Sequence, residues 1–197
     1  LMANETLKIL ELLIAHQKST FSIRKISQMR KINYKSAHGA VMRLKKAELI
    51  SFERVGNTIA VGFKNDFSSL VFSVEDERRR KLLRNPHSNE LYRRVQSVVP
   101  SFVLLVFGSS AKGTATKHSD MDVMVISDES KDVEDVLRLL PLKLHVVSLT
   151  RKEFLQMAKS KEFSVVSEAM QNRIILIGIE EYYRLVDNVK RTTNQRS

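Results

Sequence analysis

Phe102-Val103-Leu104-Leu105-Val106-Phe107, then Gly108-Ser109-Ser110-Ala111-Lys112-Gly113, then Asp120-Met121-Asp122 running into Val123-Met124-Val125-Ile126: this stretch decides the fold. Ten residues separate Ser109 from Asp120. Each apolar run is short and bounded by turn residues, which reads as a strand. The pattern is strand, Gly-Ser turn, short helical connection, and a second strand that opens with Asp-x-Asp.

Side chains i and i+2 share a face of a strand, so Asp120 and Asp122 point to one side. Two carboxylates so close repel unless a cation lies between them. Magnesium, a hard ion held by one or two carboxylates plus substrate phosphates, meets that need. Gly108 lets backbone approach closely, and the following N–H groups with the Ser109 hydroxyl can cradle phosphate oxygens. Together these features describe a site for a metal-bound nucleoside triphosphate. The plainer alternative is a Gly-Ser turn beside a surface Asp-x-Asp that solvates a strand end. Two rival phosphate motifs fail: Gly108-x-x-x-x-Gly113-Thr114 lacks the lysine of a P-loop, and no Gly-x-Gly-x-x-Gly is present.

Gly108-Ser109, ten residues, then Asp120-x-Asp122 between two apolar strands resembles the signature of the DNA polymerase beta-like nucleotidyltransferase superfamily, in particular its minimal branch, mostly archaeal and bacterial. Ala111, Gly113 and the Ser119-Asp120 pair match the fuller motif. The resemblance covers roughly the C-terminal half of the chain. It implies that Gly108, Ser109 and Ser110 bind the nucleotide, ATP before other NTPs, and that Asp120 and Asp122 bind Mg2+. An acceptor hydroxyl would then attack the α-phosphorus in line and release pyrophosphate. In that family a third carboxylate stands on the strand after the Asp-x-Asp helix. Here that strand, Leu142-Lys143-Leu144-His145-Val146-Val147-Ser148, has no acid, and His145 takes the equivalent place. Imidazole suits a general base but is a poor magnesium ligand; a structural histidine is the alternative.

At 197 residues the length allows one large or two small domains. The chain has no cysteine, so disulfides and thiolate metal sites are excluded, as suits a reducing interior. With no apolar run of membrane-spanning length and no signal pattern, the expectation is a cytoplasmic protein without a membrane partner. The formal charge of +11 is uneven: residues 1–66 hold 12 Lys and Arg against 5 Asp and Glu. An anionic partner, nucleic acid first, follows from that asymmetry; a solvated basic surface is the bland alternative.

Near the start, Leu7, Ile9, Leu10, Leu12, Leu13 and Ile14 fall at helical spacing after a cap at Asn4. Ser19–Ser22 reads as a break and a new cap, Ile23 to Met29 as a second helix, Lys31–Asn33 as a turn. A third helix from Tyr34 to Ala47 turns Ala37, Ala40, Val41 and Leu44 inward, and 49–54 and 58–63 form a hairpin about Val55-Gly56-Asn57. This order over residues 3–64 resembles a winged helix-turn-helix domain. The DNA-reading version places the third helix in the major groove of double-stranded DNA. Tyr34, Lys35, Ser36, His38, Arg43, Lys45 and Lys46, with Arg54 and Asn57 at the hairpin tip, would then face DNA. A dimerisation or docking module with an ordinary basic face is the alternative.

Residues 65–87 read as a linker helix whose Arg78-Arg79-Arg80-Lys81 run is a solvated face, with contact to nucleic acid the alternative, and Asn85-Pro86-His87 breaks it. Ser88 is expected to cap a helix ending at Pro100. After the Asp-x-Asp strand come a helix over 132–140, the His145 strand, helices over 151–159 and 163–171, a strand over 174–177, and a helix over 180–189. Residues 190–197 read as a disordered basic tail. The fold class is α/β (α+β), with the nucleotidyltransferase domain over 88–189. Three functions follow: a nucleotidyltransferase with a DNA-binding domain, a DNA-binding regulator whose degenerate transferase fold senses a nucleotide, and an antitoxin-like protein that masks or modifies a partner protein. A homodimer is expected by analogy with winged-helix DNA binders.

Overall fold

Apolar spacing builds the first helix, α1 (Asn4–Ala15), with Ile9, Leu10, Leu12, Leu13 and Ile14 buried on one side. The computed structural model describes residues 4–64, 67–98, 101–116, 118–160 and 163–194, the last seven of these as backbone only. Two compact units divide between Val74 and Glu75.

In the first unit, β1 (Phe21–Ser22) leads directly into α2 (Ile23–Arg30), α3 (Tyr34–Lys46), β2 (Ile50–Val55) and β3 (Thr58–Phe63). Ser22 caps α2 by accepting from the Lys25 N–H at 3.1 Å, and Asn33 caps α3 through the Ser36 N–H at 2.8 Å. Lys31, between the two helices, is left-handed at φ 53°. Ile26, Ala37, Ala40, Val41 and Leu44 are fully buried, the inward set expected for α2 and α3. The hairpin is antiparallel with Val55 paired to Thr58, so its turn is the two residues Gly56-Asn57 and not three. The β1 strand, which pairs antiparallel with β3, was not legible: two residues carry no alternation to read.

Continuing, α4 (Ser69–Leu82) contains the division between the units. The second unit then runs through α5 (Pro86–Val95), β4 (Val103–Val106), α6 (Gly108–Lys112), β5 (Met121–Ile126), α7 (Lys131–Arg138), β6 (Leu144–Leu149), α8 (Arg151–Lys159), α9 (Val165–Gln171), β7 (Ile174–Ile177) and α10 (Ile179–Asn194). The sheet order is β6-β5-β4-β7; β5 and β6 are parallel and the other pairs antiparallel. A parallel pair needs a crossover, and α7 supplies it. Leu104, Val106, Val123 and Val125 pack with Leu91, Val95, Val133 and Leu137 on one face. Their alternates Val103, Leu105, Met124 and Ile126 are buried just as fully, so both faces are covered and the strands read as unbroken apolar runs. The chain is thus mixed α+β with two sheets.

Three local expectations need correction. Asn85, not Ser88, caps α5: its Oδ1 accepts from the His87 and Ser88 N–H groups, and Pro86 takes the first helical position, where a missing N–H costs nothing. The Arg78–Lys81 run is a solvated face only in part, with Arg80 and Lys81 exposed. Arg78 is buried, donating to Glu75 at 2.7 Å and to the Arg173 carbonyl at 2.7 Å, while Arg79 pairs with Asp76. Finally, α10 continues to Asn194 through most of the stretch read as a disordered tail. The expected helix end at Pro100 and the last three residues of the chain lie outside the described residues.

Candidate nucleotide and metal site

At the end of β4, Phe107 is still extended, and its N–H donates to the Asp122 carbonyl at 3.0 Å. Gly108 then turns the chain at φ 61°, a left-handed conformation. A Cβ built there would lie 2.1 Å from Asp122 Oδ2, so only glycine lets the turn pass over that carboxylate. The turn enters α6, which Gly113 closes at φ 71°. Ser109 and Ser110 are half-buried on it, and their hydroxyls have no hydrogen-bond partner among the described residues.

Alternation along β5 sends Met121 into the core and leaves Asp122 half-buried on the opposite side, while Asp120, just before the strand, is exposed. The parallel register places His145 of β6 directly beside Asp122. His145 Nδ1 lies 3.1 Å from Asp122 Oδ1, and the imidazole is 64% exposed. Asp122 is therefore flanked on one oxygen by the Gly108 turn and on the other by His145. Asp120 precedes it by one strand alternation, at the end of a loop closed by the Thr116 N–H donating to Ser119 Oγ at 3.0 Å.

Among the described residues no group of three or more His, Asp or Glu side chains could enclose a metal. Two carboxylates that need substrate oxygens to complete the shell nonetheless fit Mg2+, which binds that way beside phosphates. The room Gly108 leaves at Asp122 is consistent with that fit. No acid stands on β6 to add a third carboxylate.

Sequence reasoning missed a cavity of about 220 Å³ beside this site, whose lining includes His87, Ser110, Thr116, Ser119, Met121 and Lys143. Its members come from three separated segments, so no spacing announces it. In the first unit, Tyr34, Lys35, His38, Arg43, Lys45 and Lys46 are exposed on α3, and Arg54 and Asn57 at the hairpin. Ser36 is half-buried beside its cap. Arg43 donates from Nε to Thr6 Oγ1 of α1 at 2.9 Å, and Lys45 Nζ lies 4.0 Å above the Phe52 ring of β2. Those two cations are engaged within their own unit.

Residues 88–185, just under half of the chain, match the family model described as Nucleotidyltransferase domain. Over 38 residues the chain is 45% identical to a Haemophilus influenzae protein described as "Probable protein adenylyltransferase MntA"; that stretch is 19% of this chain and spans 33% of the relative's length. No solved structure gives a significant match. No helix among the described residues is long and apolar enough to cross a membrane. The family match thus likens residues 88–185 to a nucleotidyltransferase domain.

Proposed function

We propose that the protein transfers a nucleoside monophosphate from an Mg-NTP, ATP first among them, to a hydroxyl acceptor, and that residues 3–64 form a winged helix-turn-helix domain that binds double-stranded DNA. The carrying observation is Asp122 held between the Gly108 turn and His145. Gly108, Ser109 and Ser110 present backbone N–H groups and two unengaged hydroxyls to the β- and γ-phosphates. Asp120 and Asp122 hold the divalent ion, whose chemistry when bound is to neutralise charge on the entering and leaving oxygens. With Nδ1–H donating to Asp122, Nε2 of His145 carries the free lone pair and takes the proton of the attacking hydroxyl. The Asp122 carboxylate fixes that tautomer. This role replaces the one the family gives to a third acid, and the name of the Haemophilus relative favours a protein hydroxyl as acceptor.

Calorimetric titration with ATP, with and without magnesium, tests the site. Asp122→Asn is expected to abolish magnesium-dependent binding; wild-type affinity in that variant would sink the assignment. The missing third acid favours a second reading, a DNA-binding regulator that senses a nucleotide without turnover. Magnesium-dependent ATP binding with no label transferred from α-labelled ATP to any acceptor would select it.

The DNA-binding half rests on the basic surplus of residues 1–66 and on the exposed cations of α3 and the hairpin. Its test is salt-dependent binding of duplex DNA, with affinity falling as counterions compete.

A further inference from the structure

Of the large apolar side chains exposed in the described residues, three lie on α2 and α3: Met29 at 37%, Tyr34 at 55% and Met42 at 40%. Met42 is set between lysines along its helix face. Opposite the buried stripe of Ala37, Ala40, Val41 and Leu44, helical spacing lines up Lys35, Met42 and Lys46 at i, i+7 and i+11, with His38 and Gly39 beside them. Tyr34 and His38 stack loosely at 6.2 Å between ring centroids. Gly39 presents no side chain, and Arg43 NH1 is the nearest atom a Cβ there would meet, at 3.6 Å.

Arg43 is the single arginine of α3, and its Nε is engaged by Thr6 Oγ1 of α1. Asn33, the one amide side chain at this helix, is occupied as its cap. The arginine and the amide of this helix, the types that read guanine and adenine bidentately, are therefore each engaged within the first unit, and neither stands on the Lys35–Met42–Lys46 line. What stands there instead is a thioether and two rings, flanked by lysines. An apolar group that contacts a base edge in the major groove meets the C5-methyl of thymine. The glycine lets the helix backbone come close enough for a side chain of that length.

We propose that the outward face of α3 reads thymine methyl groups in the major groove, with Met42 as the main contact and Tyr34 and His38 beside it, while Lys35 and Lys46 hold phosphates. The proposal rests on the DNA-binding role of the first unit proposed above, and the basic surplus of residues 1–66 is what favours DNA over a protein partner on this face.

The full-length protein is used to select duplexes from a random library, and each thymine of the selected site is then replaced by deoxyuridine, which lacks only the methyl. Affinity falls about fourfold for each contacted methyl, the worth of one buried carbon group. Met42→Ala binds the thymine and uracil duplexes equally and keeps the wild-type salt dependence; Lys46→Ala weakens both alike. Equal wild-type affinity for the two duplexes, or a site read through guanines, overturns the inference and leaves DNA binding standing. Failure to bind any duplex at low salt overturns both. A dimer in sedimentation that Met42→Ala dissociates, without change in DNA affinity, assigns the face to a second copy and also overturns it.

Discussion

Two charged clusters in the second unit are built on opposite terms. Glu75, Arg78, Arg173 and Tyr183 are buried together: Glu75 accepts from Arg78 at 2.7 Å and from the Tyr183 hydroxyl at 2.8 Å, and Arg173 approaches it at 3.4 Å while lying 4.1 Å over the Tyr182 ring. Asp120, Asp122 and His145 stand half or fully exposed, two acids with one imidazole contact between them. Burying a charge is tolerable only when partners replace water, so the first cluster is closed upon itself and ties α4 to β7 and α10. The second is left electrostatically incomplete, which is the condition for a cation and a polyphosphate to complete it.

That contrast can be broken by substitution, ranked here by effect on folding. Glu75→Ala leaves two buried guanidinium groups without their carboxylate and is expected to cost about 3–5 kcal/mol. Thermal unfolding measures it; a loss below the error would mean the cluster is not sealed. Gly108→Ala is expected to cost about 1–2 kcal/mol from its left-handed backbone alone, and the new Cβ displaces Asp122 Oδ2, so ATP affinity drops with it. Retained affinity would show that the turn and carboxylate do not work together.

Alkaline titration separates the clusters next. Burial, with Glu75 adding to it, pushes the Tyr183 phenol well above its ordinary value. A folded pKa above the unfolded one means stability is complete below the ordinary tyrosine value of about 10 and is lost as pH rises past it. The melting temperature should therefore fall above that pH, and less so in Tyr183→Phe. An equal fall in both proteins would place the alkaline loss elsewhere. His145→Gln should move stability least, within about 0.5 kcal/mol as for other exposed positions. Nucleotidyl transfer would fall by roughly 10²–10⁴-fold with ATP affinity kept. Lost binding with it would make His145 a holder of Asp122 and not a base.

The secondary elements around the site were largely legible, because strands covered on both faces and amphipathic helices write their period into the chain: α8 and β7 fall on the residues that spacing assigns. Gly108 was readable as a close approach, though not what it approaches. The Arg78–Lys81 run misled because four adjacent cations read as solvated, whereas Arg78 and Arg79, besides their local carboxylates Glu75 and Asp76, reach the carbonyls of Arg173 and Leu176 about a hundred positions away. Arg43 and Lys45 are exposed, as an outward position on α3 requires, and only Thr6 and Phe52 reveal that they are also engaged within the unit.

By itself, the sequence determined the strand-turn-strand unit, the basic surplus of the first third and the lack of a third acid on the following strand. These depend on local period and composition, which contacts with distant residues do not alter. Tertiary structure alone decided that His145 lies in register with Asp122, that Gly108 presses on the same carboxylate, and that Glu75 and Arg173 close a buried ionic cluster. Each of these is a distance between residues far apart in the chain, set by strand pairing and packing, and no pattern along the sequence records it.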